Sequence, residues 1–284
     1  MVHELAPVHV VRQAAWTAQA YGATAVRVAM RGTKARLRRP LEERLVFVVG
    51  SPRSGTSFTA GAIGDLPAFV DLGEVPLLKA AIPELVELPE EEQATEIRHV
   101  LQRVRGLAFV RRLRGVEQTP ETGFVLPAAL SAFPDAAAVH VVRDGRDVVC
   151  SLLERGWLNA DQAGHDDARL PYGSQPRFWV EPERRDEFAQ VSDARRCAWA
   201  WRRYVEAVRA ADAGDRMLEI RYEALATVAD RLAEFLGANV TSTHRAIDRF
   251  RDSSIGRWRR ELTPEQVADV QAEAGPLLAE LGYS

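Results

Sequence analysis

"VVGSPRSGTSF", Val48–Phe58, is the stretch on which the reading of this chain turns. It closes the apolar, β-branched run "RLVFVVG" and opens "SGTSFTAGAIG", so the pattern predicts a buried strand, a glycine-rich turn and a helix. Such a turn aims several backbone N–H groups at one point, with the helix dipole behind them. Ser54, Thr56 and Ser57 add hydroxyl donors, and Arg53 adds a fixed charge on a planar fork. The stretch therefore predicts an anion site. Gly50 and Gly55 have the spacing of a nucleotide-binding P-loop, but Thr56 stands where a P-loop NTPase keeps the lysine that reaches the terminal phosphates. An ATPase or kinase is weakened by that absence. Taken alone, the stretch also fits a purely structural turn.

Two further segments repeat the scheme. "AAAVHVVRDGRDVVCSLLE" predicts a strand to Val142, a turn at Asp144–Gly145 and a helix from about Arg146, and "RMLEIRYEAL" predicts a third strand and turn. A second short strand is predicted in "AFVDLG", over Ala68–Leu72. Strand–turn–helix repeats give an α/β fold, with a parallel central sheet flanked by helices. Ligands of such sheets bind at the carboxyl ends of the strands, so all these turns face one site. Further helices are predicted at Glu90–Arg105, Gly123–Ala132, Asp193–Ala211 and Leu225–Leu236. Residues 1–40 read as an N-terminal helical extension with a basic face, and 41–284 as one compact unit. The Asn159–Arg185 stretch is long for a plain connection and reads as a functional lid or a partly mobile loop.

Composition bounds the function. The 284 residues are 46% hydrophobic and 27% charged, as in a soluble globular protein. A net charge of −3 gives no electrostatic case for nucleic acid. Two cysteines, Cys150 and Cys197, are too few for a disulfide framework, and no signal-peptide or transmembrane pattern is found, so a cytoplasmic location is expected. Peripheral membrane contact by the basic N-terminus stays open. The histidines are scattered and the cysteines far apart, so no metal is expected.

Arg143 ends its predicted strand, and Ser151 lies a turn and a half into the next helix; both face the same sheet edge as the first loop. Together these stretches resemble the sulfotransferases that use 3′-phosphoadenosine 5′-phosphosulfate. "PRSGT" resembles the family's 5′-phosphosulfate loop, and Arg143 with Ser151 its 3′-phosphate pair. "RYEAL" resembles the segment whose tyrosine, here Tyr222, lies near the adenine. "SSIGRWRREL" resembles the late loop that closes over the nucleotide, carrying Arg257 and Trp258. "QTPE" before "FPDA" resembles a Lys-Thr-Pro-Glu…Phe-Pro-Asp-Ala run. The resemblance spans about Leu45 to Tyr283 and implies the P-loop-containing, nucleotide-hydrolase-like sulfotransferase fold. It implies cofactor contacts from Arg53, Ser54, Gly55, Thr56, Ser57, Arg143, Ser151, Tyr222, Arg257 and Trp258. Phe58 is divided between adenine contact and packing on the sheet. Asp144 and Asp147 are expected to cap their helix and orient the arginines.

The implied reaction is sulfuryl transfer to a hydroxyl, or an amine, of a small-molecule, sugar or lipid acceptor. Arg53 is the candidate for charge on the bridging and leaving oxygens. The chain departs from its relatives at Gln118, where many carry lysine, so Arg53 acts alone, Lys79 replaces the missing cation, or activity is weakened. Lys79 otherwise reads as a solvated helix residue. Glu74, in "VDLGEVPLLK", is the candidate base, since glutamate-dependent relatives place theirs in a similar Gly-Glu segment. Its alternative is a helix cap or a pair with Lys79; Asp71 and His140 are the competitors, His140 reading chiefly as core. A nucleotide-binding pseudoenzyme and a P-loop phosphotransferase remain the other readings.

Overall fold

Val46–Val49, four consecutive buried residues, form the central strand β1 in a computed structural model of the chain. The structure describes residues 44–106, 113–159 and 177–283, with positions 15, 18, 19, 22–26, 29 and 30 nearer the N-terminus. The other strands are β2 (Phe69–Gly73), β3 (Arg114–Glu117), β4 (Ala137–Val142) and β5 (Met217–Arg221). They pair in the order β2-β3-β1-β4-β5, and every pairing is parallel. Parallel strands need crossovers, and helices supply them. Those of the first half are α1 (Thr56–Gly64), α2 (Pro76–Leu85), α3 (Glu90–Gly106), α4 (Leu126–Ala132) and α5 (Gly145–Arg155). The second half carries α6 (Arg185–Gln190), α7 (Asp193–Ala210), α8 (Ala229–Leu236), α9 (Val240–Ile247), α10 (Trp258–Glu261) and α11 (Pro264–Glu280).

The two-residue period of a strand splits β1 between two cores. Val46 and Val48 pack with residues of α1, α8 and α9. Phe47 and Val49 pack on the opposite face with α2, α3 and α4. A third cluster joins α5, α7 and α11 around Trp199, Trp201 and Tyr204. After β1 the chain moves to one edge of the sheet, and after β3 it crosses back over β1 to β4. The carboxyl ends of β1 and β4 therefore meet at the switch point of the sheet, where open α/β sheets hold their ligands.

Several predicted elements shift. The helix expected over Gly123–Ala132 is a 3-10 turn over Pro120–Val125 followed by α4. Pro127 is the reason: it lacks an N–H and is tolerated only in a first helical turn, where α4 places it. The Leu225–Leu236 helix likewise divides, into a 3-10 turn over Tyr222–Thr227 and α8. Residues 160–176 of the expected lid lie outside the described residues. In its described remainder Trp179 is 2% exposed, packed at 5.5 Å on Phe188 and 6.2 Å on Tyr204, so it belongs to the core. The basic face of the N-terminal extension and its boundary at residue 40 also lie outside the described residues. Thr24 in that region is buried and donates a hydrogen bond to the Leu72 carbonyl of β2.

Candidate active site at the strand carboxyl ends

The first loop leaves β1 through three left-handed residues: Gly50 (φ 149°), Arg53 (φ 71°) and Gly55 (φ 94°). A Cβ on Gly50 would stand 2.4 Å from the Val141 carbonyl of β4, and one on Gly55 would stand 2.4 Å from the Tyr222 ring. Glycine therefore lets the loop lie against β4 and lets Tyr222 lie on the loop. Gly55 caps α1 without any side-chain bond, so the first N–H groups of this helix are left to point outward. Gly55→Ala is expected to cost about 1–3 kcal/mol of stability and to displace Tyr222. A thermal melt together with titration of adenosine 3′,5′-bisphosphate measures both effects.

Arg53, Arg143 and Ser151 converge. Arg53 donates from Nε to Ser151 Oγ at 2.9 Å. Arg143 donates to the Arg53 carbonyl at 3.1 Å and to the Ser254 carbonyl at 2.6 Å, and lies 4.4 Å above the Tyr222 ring. Burial pushes the Arg53 pKa down, and the neighbouring Arg155 and Arg143 push it further. Positive charge is thus crowded into a partly desolvated corner, which favours an anion. Two buried polar atoms there, Ser54 Oγ and Arg143 Nε, have no hydrogen-bond partner among the described residues.

Tyr222 belongs to an aromatic cluster. Its ring centroid lies 5.0 Å from Phe250, which lies 5.4 Å from Phe58. Phe58 is half-buried and packs against the core on this face of the sheet. Trp258 takes a different place: Arg146 lies 4.0 Å and Arg259 4.7 Å from its ring centroid. Arg257 is engaged by Glu154 and Glu261, whose carboxylates raise its pKa. Its bonds go to these two carboxylates and not to Arg143.

Supporting residues tie the late loop to α5. Asp147, fully buried, accepts from the backbone N–H of Gly256 at 2.7 Å and of Trp258 at 3.0 Å. Tyr222 and Ser254 share a hydroxyl contact at 2.9 Å. Asp144 caps α5 and pairs with Arg146 at 2.8 Å. Trp201 donates to the Arg143 carbonyl at 3.0 Å, and its ring fills the space a Cβ on Gly145 would take. Phe250, Ser254 and Trp201 were missed as individual site residues in the sequence, although Ser254 lies inside the quoted late-loop motif.

A second group gathers at the ends of β2 and β3. Ser57 donates to Gln118 Oε1 at 3.2 Å, so the residue in the lysine position touches the first loop. Gln118 N–H donates to the Gly73 carbonyl at 3.2 Å, and Val75 N–H donates to Thr119 Oγ1 at 3.0 Å. These bonds place Glu74 beside Gln118. The Glu74 side chain is 31% exposed and lies 3.1 Å from Lys79 Nζ, which is also 3.3 Å from Glu121. Lys79 is only 5% exposed, so the solvated helix position expected for it is wrong. Asp71 accepts from Gly73 N–H at 2.8 Å within the sheet edge, and His140 is buried with its ring 3.1 Å from Glu219.

Glu117, the last residue of β3, holds this turn by accepting from Thr119 N–H at 2.7 Å and Thr122 Oγ1 at 3.1 Å. Complete burial pushes its pKa up from 4.5 to about 8. Between those values the folded chain binds a proton that the unfolded chain has released, so stability falls as pH rises through this window. Glu117→Gln, which cannot ionise, is expected to flatten that fall. Denaturant midpoints of both proteins, measured from pH 5 to pH 8, should diverge with rising pH.

A sulfotransferase domain from the curacin biosynthetic pathway superposes with a TM-score of 0.55 at 15% identity, over 84% of this chain and 98% of that one. Sulfotransferase STF9 from Mycobacterium avium does so with a TM-score of 0.50 at 16% identity, over 97% of this chain and 86% of that one. The chain has the sulfotransferase fold. No protein-family model and no curated protein matches it in sequence. In this sulfotransferase fold, the first loop, the Arg143–Ser151 pair and the late loop meet at the carboxyl ends of β1 and β4. No group of three or more candidate metal-ligating side chains is found among the described residues, and none of their helices is long and apolar enough to cross a membrane.

Proposed function

We propose that this protein is a sulfotransferase that uses 3′-phosphoadenosine 5′-phosphosulfate and sulfates a hydroxyl, or an amine, of a small-molecule, sugar or lipid acceptor. One observation carries the reading: Arg53, Arg143 and Ser151 converge beside a glycine loop, where a buried hydroxyl and a buried guanidinium N–H have no partner among the described residues. Two unmet donors among like charges fit a ligand with two anionic groups. The bound cofactor supplies the sulfuryl group.

The chain's residues divide the remaining work. The N–H groups of Thr56, Ser57 and Phe58, with the hydroxyls of Ser54 and Thr56 and that of Ser57 once it turns from Gln118, hold the 5′ end. Arg143 and Ser151 hold the 3′-phosphate, with Arg257 at the rim. Tyr222, Phe58 and Trp258 border the base, and Phe250 is added to them. Arg53 keeps Nε on Ser151 and turns the rest of its fork to the bridging and leaving oxygens. Glu74 receives the acceptor's proton through Oε1, with Oε2 held by Lys79.

The test is transfer of labelled sulfate from the cofactor into a host-cell extract, with mass spectrometry of the product. Retention on immobilised adenosine 3′,5′-bisphosphate, and none on immobilised ATP, is expected; the reverse preference would indicate a phosphotransferase. A second reading, a nucleotide-binding pseudoenzyme, draws on Gln118, whose neutral amide accepts from Ser57 where relatives carry a cation. Tight bisphosphate binding with no turnover on any acceptor would favour it.

A further inference from the structure

Lys79 is the feature of this region that the proposed chemistry leaves unused. Lysine is almost never buried unless paired, and here its pairing is specific. Its Nζ donates to Glu74 Oε2 at 3.1 Å and faces Glu121 Oε1 at 3.3 Å. Glu121 is fully buried, and the same oxygen accepts from Tyr204 Oη at 3.2 Å. The anchor beneath Lys79 is therefore rigid: a buried carboxylate in the Pro120–Val125 turn, held by a buried tyrosine of α7. The helix that carries Lys79 is itself interrupted one turn on, since Pro83 has no N–H to give the Lys79 carbonyl.

We propose that Lys79 is a positioning residue: it clamps Oε2 of Glu74 against the Glu121–Tyr204 anchor and so fixes the direction in which Oε1 meets an acceptor proton. The proposal rests on Glu74 being the base. Lys79 faces two carboxylates, Glu74 and Glu121, and Gln118 accepts from Ser57 of the first loop.

The chain has two lysines, Lys34 and Lys79. Labelling lysine with ¹⁵N gives an ammonium spectrum of two signals, assigned by Lys34→Arg. The Lys79 signal is expected to be protected from exchange and to move in Glu74→Gln; a Lys79 signal indifferent to Glu74→Gln overturns the contact. Kinetics test its purpose. Lys79→Met alone leaves buried Glu121 without its cation, at a cost to folding, so Lys79→Met/Glu121→Gln is the informative variant. Its turnover number is expected to fall roughly ten- to a hundredfold, as for a misdirected catalytic group, with bisphosphate affinity unchanged. Added to Glu74→Gln, the same pair should lower turnover no further. If Glu74→Gln retains turnover, the base assignment fails and the labelling result still decides the contact. If Glu74→Gln is inactive while the pair is fully active, or its loss is additive, positioning by Lys79 is overturned and the base assignment stands.

Discussion

Arg143→Ala is expected to weaken binding of adenosine 3′,5′-bisphosphate by about 2 kcal/mol, roughly thirtyfold, because it removes a charge-assisted contact from a partly desolvated site. Binding of adenosine 5′-phosphosulfate, which lacks the 3′-phosphate, should hardly change. The structure explains why the difference between the two ligands is the decisive measurement. Arg143 also donates to the Arg53 and Ser254 carbonyls, so its loss loosens the first loop and the late loop together. That indirect effect would weaken both ligands alike. Arg143→Lys keeps the charge but cannot span both carbonyls with a planar fork, and an intermediate loss is expected. Equal losses for the two ligands, measured by calorimetry, would show that Arg143 serves the fold and not the 3′-phosphate.

The parts that were legible in the sequence are those set by local rules. Apolar runs ended by glycine or by Arg-Asp-Gly gave β1, β4 and their turns, because a buried parallel strand reads as a continuous apolar run. The positions of Arg143 and Ser151 followed from the register of one strand and one helix. What depended on pairing across the chain was not legible. Lys79 reads as a surface residue of "PLLKAAIPEL" until Glu121 is brought under it from another element. Phe250 has no local signature; it matters because α9 ends beside Tyr222 and Phe58. Asp147 pairs with Arg143 at 3.9 Å, as the expected orienting role requires, but no local pattern announces its two shorter bonds to backbone N–H groups of a loop more distant in the chain. Nor does any sequence pattern tell Trp201, which supports the Arg143 carbonyl, from the other core tryptophans.

Glu74→Gln is expected to lower the turnover number by roughly 10² or more, the usual share of a general base, while bisphosphate binding stays within a few-fold of wild type. An attacking hydroxyl must give up its proton as its oxygen bonds to sulfur, and the acceptor of that proton must lie within hydrogen-bond reach. Glu74 meets the positional demand from the cofactor side: Gln118 links its strand end to Ser57 of the anion loop. It is partly exposed, so an acceptor can approach it, and one of its oxygens is already fixed by Lys79. The competitors are worse placed. His140 is fully buried within β4 and spends one ring nitrogen on Glu219, and burial pushes its pKa down. Asp71 is committed to Gly73 N–H inside the edge of the sheet. Glutamine matches glutamate in shape and preserves an oxygen for Lys79, so a fall in turnover without a fall in nucleotide affinity isolates the proton transfer. Near-normal turnover of Glu74→Gln at saturating acceptor would sink the assignment, and Asp71→Asn would then be the next variant to measure.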